Sequence, residues 1–275
     1  MAMGSSLDAI GPLAHTVGDA KMIFEAIRGA DVMDSTTVPD DTARIAKKEK
    51  YTIGVPRDFL KAGVDADLLA QFEKGLETLR KAGHTVVDVA LPSIEHALAV
   101  YYIIMPAEVS ANMARFDGVR YGLHVAGKDR IDDYKQSRGA GLGAEVRRRI
   151  LLGTHILSSG YYDAYYGSAL SARDYMRAQM RETFKEVDAV ALPTTPTPAF
   201  TLGEKTSDPL AMYLEDIFTV PANIIGIPAM SVPHGTVERG GKDLPVGLQL
   251  LAPALGEETL FALGAVLTGE EEKSA

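Results

Sequence analysis

The stretch between Tyr51 and Ala90 constrains the fold of this chain most. Residues 51–55 are an apolar run of strand length. Asp65 stands where a helix N-cap belongs, and the amphipathic pattern after it runs to about Ala82, where Gly83 stops it. Residues 84–90 form a second, valine-rich strand. Strand, helix, strand at this spacing is a βαβ unit, which implies a parallel strand pair joined by a right-handed crossover.

The rest of the chain repeats these two kinds of element. Thr16 and Asp19 mark a helix start, with apolar residues at helical spacing from Val17 to Arg28 and a stop at Gly29. Residues 30–50 are a polar surface connection in which the lysine run 47–50 is solvated. Ser93 opens a long apolar helix that Pro106 is expected to interrupt, and residues 144–158 and 161–187 read as two further helices broken at Gly160. A short buried strand at 188–192 leads into the stiff proline-threonine loop 193–198. Asp208 caps a helix that Pro221 is expected to bend. Residues 229–232 and 246–251 are late strands, 257–267 a final helix, and 268–275 a frayed tail. No internal repeat is visible. The expected architecture is α/β, a mixed β-sheet covered by helices on both faces, in a single domain over 1–275.

Composition narrows the chemistry. Cysteine is absent, which excludes disulfides, a thiol nucleophile and thiolate metal sites, and suits a reducing cytoplasm. A net charge of −9 argues against a surface that grips nucleic acid by its phosphates. No apolar run reaches the roughly 18 residues of a membrane span, and the start carries no export pattern. His15, His84, His96, His124, His155 and His234 never stand at i, i+4, so a zinc site of the HExxH type is not expected. The glycines at 139, 141 and 143 lack the spacing and preceding strand of a dinucleotide loop and read as a flexible loop entering a helix. The serine pairs Ser5-Ser6 and Ser158-Ser159 lie in no G-x-S-x-G elbow, and nothing local supplies a base or an oxyanion hole.

Several long blocks have wording that composition does not explain. They are Gly4-Ser5-Ser6-Leu7-Asp8-Ala9-Ile10-Gly11-Pro12, Tyr101-Tyr102-Ile103-Ile104-Met105-Pro106-Ala107-Glu108 with Ala114-Arg115-Phe116-Asp117-Gly118, and Arg147-Arg148-Arg149-Ile150-Leu151-Leu152-Gly153-Thr154 with Ser159-Gly160-Tyr161-Tyr162-Asp163-Ala164-Tyr165-Tyr166. Near the end stand Pro209-Leu210-Ala211-Met212-Tyr213-Leu214-Glu215-Asp216-Ile217-Phe218-Thr219-Val220-Pro221-Ala222-Asn223, Gly226-Ile227-Pro228-Ala229 and Leu244-Pro245-Val246-Gly247-Leu248-Gln249. Together they closely resemble the amidase signature family, and within it the A subunits of the aspartyl/glutamyl-tRNA amidotransferases, over nearly the whole chain.

The resemblance implies an amide-hydrolysing fold whose lysine and two serines lie upstream of the block matching Gly4 to Pro12. No residue of this chain matches them, so the expected catalytic set is empty and the chain reads as the C-terminal portion of such a protein, inactive alone. The substrate-facing residues do match. Arg149 corresponds to the arginine that takes the glutamine carboxylate, a task suited to a forked guanidinium. Asp216 corresponds to the acid that meets the ammonium, and Tyr101, or its neighbour Tyr102, to a tyrosine at the pocket. The chain itself implies no cofactor or metal. ATP and magnesium are expected on a partner B subunit, which receives the ammonia and holds the tRNA. A small C subunit is the further expected partner. A stand-alone hydrolase of another amide and a non-catalytic scaffold are the alternative readings.

Overall fold

The computed structural model describes residues 2–39, 41–61, 63–206 and 208–270. Its helices and strands, in chain order, are α1 (Val17–Ile27), β1 (Thr52–Val55), α2 (Arg57–Leu60), α3 (Ala66–Lys81), β2 (Thr85–Asp88), α4 (Ala97–Met113), α5 (Arg130–Gly141), α6 (Ala144–Ile156), α7 (Ser168–Thr183), β3 (Ala189–Pro193), α8 (Pro209–Tyr213), α9 (Val220–Ile225), β4 (Ala229–Arg239), β5 (Lys242–Leu251) and α10 (Glu257–Thr268). They form two compact units, residues 1–9 with 99–175, and residues 10–98 with 176–275. From residue 271 on, the expected tail lies outside the described residues.

The second unit holds a five-stranded sheet in the order β2-β1-β3-β5-β4. The βαβ unit is present: β1 and β2 are parallel, Thr52 opposite Thr85, and β1 also pairs in parallel with β3, Ile53 opposite Ala189. β5 runs antiparallel to both β3 and β4, with Leu192 opposite Gln249 and Val232 opposite Leu248. The sheet is therefore mixed. All five residues of β3, at its centre, are buried, as a strand covered on both faces requires.

Helices cover those two faces. α3 approaches so closely that a Cβ on Gly75 would lie 2.5 Å from Leu248 Cδ1, and α10 brings Gly264 against Met230. Met230 and Leu248 lie on one face of the hairpin by their register. The next residue along, Gln249, points the other way, where its Nε2 donates to the Phe218 carbonyl at 2.7 Å. Phe218 is 1% exposed and meets Phe59 edge-on, ring centres 5.3 Å apart. That second layer is built by residues leading into α9.

Asp65 starts α3 as expected, its carboxylate accepting from the amides of Asp67 (3.0 Å) and Leu68 (3.2 Å). It also receives Arg239 Nη2 at 2.6 Å, which ties the tip of the β4–β5 hairpin to the helix start. Arg239 above all, with the two amides, holds the Asp65 carboxyl below its ordinary value despite the opposing effect of burial. A lowered carboxyl pKa stabilises the fold above the unfolded value near 4 and loses that contribution as pH falls through the folded value. Asp65→Ala is thus expected to cost about 1.5 kcal/mol at pH 7, mostly as a lost cap. Urea unfolding will show the gap between the two proteins narrowing below about pH 4.

Five expectations are corrected. Pro106 does not interrupt its helix: α4 continues to Met113 because Ile104, Met105, Ala107 and Val109 around it are buried, and packing outweighs the one hydrogen bond proline removes. Residues 161–187 are not one helix. A π-helical turn, Tyr162–Gly167, precedes α7, and its wide backbone lets Tyr162 and Tyr166 pair at 5.3 Å. The helix capped by Asp208 is not bent by Pro221 but ends at Tyr213. A 3-10 turn, Leu214–Asp216, follows, and Pro221 sits in the first turn of α9, where its missing N–H has no partner to lose.

β4 starts at Ala229 as expected but runs on to Arg239, and β5 ends at Leu251 as expected but starts already at Lys242, because Gly240 and Gly241, both at positive φ, close a two-residue hairpin between them. Finally, Gly139 and Gly141 end α5 instead of forming a loop. Asp129 caps this helix, and Arg138 fixes it by donating to the carbonyls of Met113 (2.9 Å) and Phe116 (2.7 Å).

Candidate functional site

In the first unit, α4 presents Tyr101, Met105, Glu108 and Asn112 at the three- and four-residue steps that align side chains on one helix face. α6 crosses this helix closely. A Cβ on Gly153 would stand 1.8 Å from the Pro106 carbonyl oxygen, so only glycine admits the approach. Beside the crossing, the hydroxyls of Ser110 and Thr154 bond at 2.8 Å. One turn earlier on α6 is Arg149.

Of the three consecutive arginines, Arg149 is the one turned inward, its side chain 22% exposed against 57% for Arg148. Its Nη1 donates to Tyr101 Oη at 3.2 Å and to Met105 Sδ at 3.5 Å, and its Nε donates to Glu145 at 2.9 Å. Partial burial works against the charge, but the acceptors Tyr101 and Glu145 outweigh it, so the guanidinium is held above its ordinary value. It stays a cation at every working pH. The structure therefore brings Tyr101 and Arg149 together. Tyr102 meets Tyr101 edge-on, ring centres 5.1 Å apart.

The lower end of the α4 stripe holds the loop Met3–Asp8, which sequence reasoning did not place against this helix. The Ser6 amide donates to Glu108 at 2.9 Å, and the Ser6 hydroxyl donates to the same carboxylate while accepting from Arg173 Nη1 at 3.0 Å. Asn112 Nδ2 donates to Ser5 Oγ at 2.7 Å and to the Met3 carbonyl at 3.1 Å. Asp8 closes the turn by accepting from the amides of Met3 (2.8 Å) and Gly4 (3.1 Å). Burial, with the nearby Glu108 charge, raises the Tyr166 hydroxyl above its ordinary value. The α4 periodicity was the signal that could have found Glu108 and Asn112. Met105 joins the two ends, since it contacts Arg149 and lies beside Gly4.

Asp216 belongs to the second unit. It ends the 3-10 turn Leu214–Asp216, where its carbonyl accepts from the Thr219 amide (3.1 Å) and hydroxyl (3.2 Å), and its side chain is exposed. Glu215 beside it turns inward, 13% exposed, pairing with Lys205 and accepting from the Thr197 hydroxyl at 2.9 and 2.8 Å. The two adjacent acids are thus separated by burial: Glu215 is neutralised within the fold and Asp216 is presented to solvent.

Among the described residues, no group of His, Cys, Asp and Glu is arranged to hold a metal ion, and no helix is long and apolar enough to cross a membrane. What the first unit can offer is a fixed cation with an aromatic hydroxyl at its side. A carboxylate is the ligand chemistry that such a pair suits.

Comparison with known proteins identifies the family. The amidase family model matches residues 1–261. The A subunit of the glutamyl-tRNA(Gln) amidotransferase of Maricaulis maris is 47% identical over 97% of this chain and 55% of its own length. That of Roseiflexus castenholzii is 48% identical over 96% of the chain and 54% of its length. The crystal structure of the glutamyl-tRNA(Gln) amidotransferase A subunit from Thermotoga maritima superposes with a TM-score of 0.74 at 33% identity, covering 100% of this chain and 55% of that one. The chain spans about half the length of the curated relatives it matches. With the mixed sheet, the helical layers and the family match in agreement, this chain belongs to the amidase family.

Proposed function

We propose that this chain carries the amino-acid-binding portion of the amidase component of a tRNA-dependent amidotransferase, and that its ligand is glutamine. One observation carries the reading: a shielded, permanently charged Arg149 fixed by Tyr101, in a chain nearly half identical to proteins named as such components. Arg149 takes the α-carboxylate, with Nη2 meeting no acceptor among the described residues. Tyr101 walls the pocket, and the family resemblance gives Asp216, in the second unit, as the acid that meets the ammonium. A guanidinium fork is suited to reading the carboxylate end of a free amino acid.

In this reading the assembled enzyme releases ammonia from glutamine in the cytoplasm and passes it to a B subunit. There ATP and magnesium activate Glu-tRNA(Gln) or Asp-tRNA(Asn) for amidation, and a C subunit completes the complex. The acidic chain, net −9, leaves tRNA contact to the B subunit. The lysine and paired serines of the family have no counterparts in this sequence, so the chain alone is inactive. Incubating purified chain with glutamine and measuring ammonia by coupled glutamate dehydrogenase tests this. No release above the buffer rate is expected, and a rate that scales with chain concentration overturns it.

A further inference from the structure

Arg149 is anchored from two directions, and each anchor takes a different nitrogen. From α4, Tyr101 Oη and Met105 Sδ accept from Nη1 at 3.2 and 3.5 Å. From its own helix, one turn back, Glu145 Oε1 accepts from Nε at 2.9 Å. Nη2 is the nitrogen left for a ligand. A guanidinium is flat but rides on a long, flexible stem, so a single anchor leaves it free to swing. Anchors at Nε and Nη1 together fix both its plane and its rotation within that plane.

Glu145 is itself fixed by its place on α6. Its spacing from Arg149 is the i, i+4 step at which helical side chains meet. Its second oxygen, Oε2, pairs with Arg148 Nη1 at 2.9 Å. It also stands in the first turn of α6, whose N-cap Gly143 offers no side chain, and an anion there favours the helix dipole. That plainer role depends on charge alone. A role at Arg149 depends on an oxygen that accepts from Nε, and the two are separable.

We infer that Glu145 is a positioning residue for substrate binding: by holding Nε it turns Nη2 of Arg149 toward the ligand carboxylate. The inference rests on the reading of Arg149 as the group that takes the glutamine carboxylate. It is tested by steady-state kinetics in the enzyme assembled with the rest of its amidase domain, with glutamine and with propionamide, an amide that has no carboxylate. Glu145→Ala is expected to raise KM for glutamine about tenfold with kcat unchanged, and to leave propionamide turnover as in the parent. Glu145→Gln, conservative at a side chain 45% exposed, keeps an oxygen for Nε and recovers most of the loss. Adding Glu145→Ala to Arg149→Ala costs nothing further, because Glu145 acts only through that arginine. The inference is overturned if Arg149→Ala raises KM while Glu145→Ala does not, if the Gln variant is no better than the Ala variant, or if the two losses add. Should Arg149→Ala itself keep the parent's KM, the glutamine reading falls and this inference with it.

Discussion

Replacing Gly153 by alanine will destabilise the first unit by about 3 kcal/mol, at the upper end of what overpacking costs. The added Cβ would lie 1.8 Å from the Pro106 carbonyl oxygen, 2.4 Å from its carbon and 2.8 Å from Ser110 Cβ. The first two are backbone atoms, which no rotamer change can move aside. Elsewhere the same substitution has the opposite sign. Gly139 lies in α5 with nothing within 4 Å of its notional Cβ, and Gly139→Ala will stabilise by about 0.5 kcal/mol through helix propensity. Urea midpoints of the two variants will move in opposite directions, and a Gly153→Ala midpoint equal to the parent's would refute the close crossing. The crossing also governs the site. Contacts climb α4 and α6 together, Tyr101 and Met105 to Arg149, Pro106 to Gly153, Ser110 to Thr154, so separating the helices also pulls Arg149 from Tyr101.

How far such features were legible in the sequence depends on whether the cause is local. Asp65 announces α3 because a cap is a bond between neighbours, and the βαβ unit follows from periodicity within one stretch. The outer half of the β4–β5 hairpin was hidden because its residues are mostly solvent-facing and lack an apolar pattern, although Gly240-Gly241 between Arg239 and Lys242 is a turn signal in its own right. Pro106 misled for the opposite reason, since its local penalty is offset by burial that only tertiary structure provides. In the site, three adjacent arginines and two adjacent tyrosines are chemically alike. The resemblance pointed to Arg149 and Tyr101, and the facing of α6 on α4 is what joins those two. Glu108, Asn112 and Arg173 were missed because their partner is a loop distant in sequence.

The second large effect concerns that arginine. In an enzyme assembled with the remaining part of the amidase domain, Arg149→Ala will lower kcat/KM for glutamine about 100-fold, chiefly through KM. That corresponds to roughly 3 kcal/mol for losing a two-pronged charge-assisted contact. Arg149→Lys keeps a positive charge but not the fork, and is expected to recover about tenfold of the loss. Arg148→Ala, at a side chain 57% exposed, will leave the parameters unchanged. The pattern separates the readings by chemistry. If the natural substrate were an amide without a free carboxylate, Arg149→Ala would reduce turnover of glutamine and of a simple amide such as propionamide alike. A carboxylate receptor predicts that glutamine suffers and propionamide does not. Tyr101→Phe refines the assignment, because it removes an acceptor of Arg149 Nη1 while keeping the ring that packs on Tyr102. Its cost, about fivefold in KM, measures how much of the arginine's effect depends on being held in place and how much on charge alone.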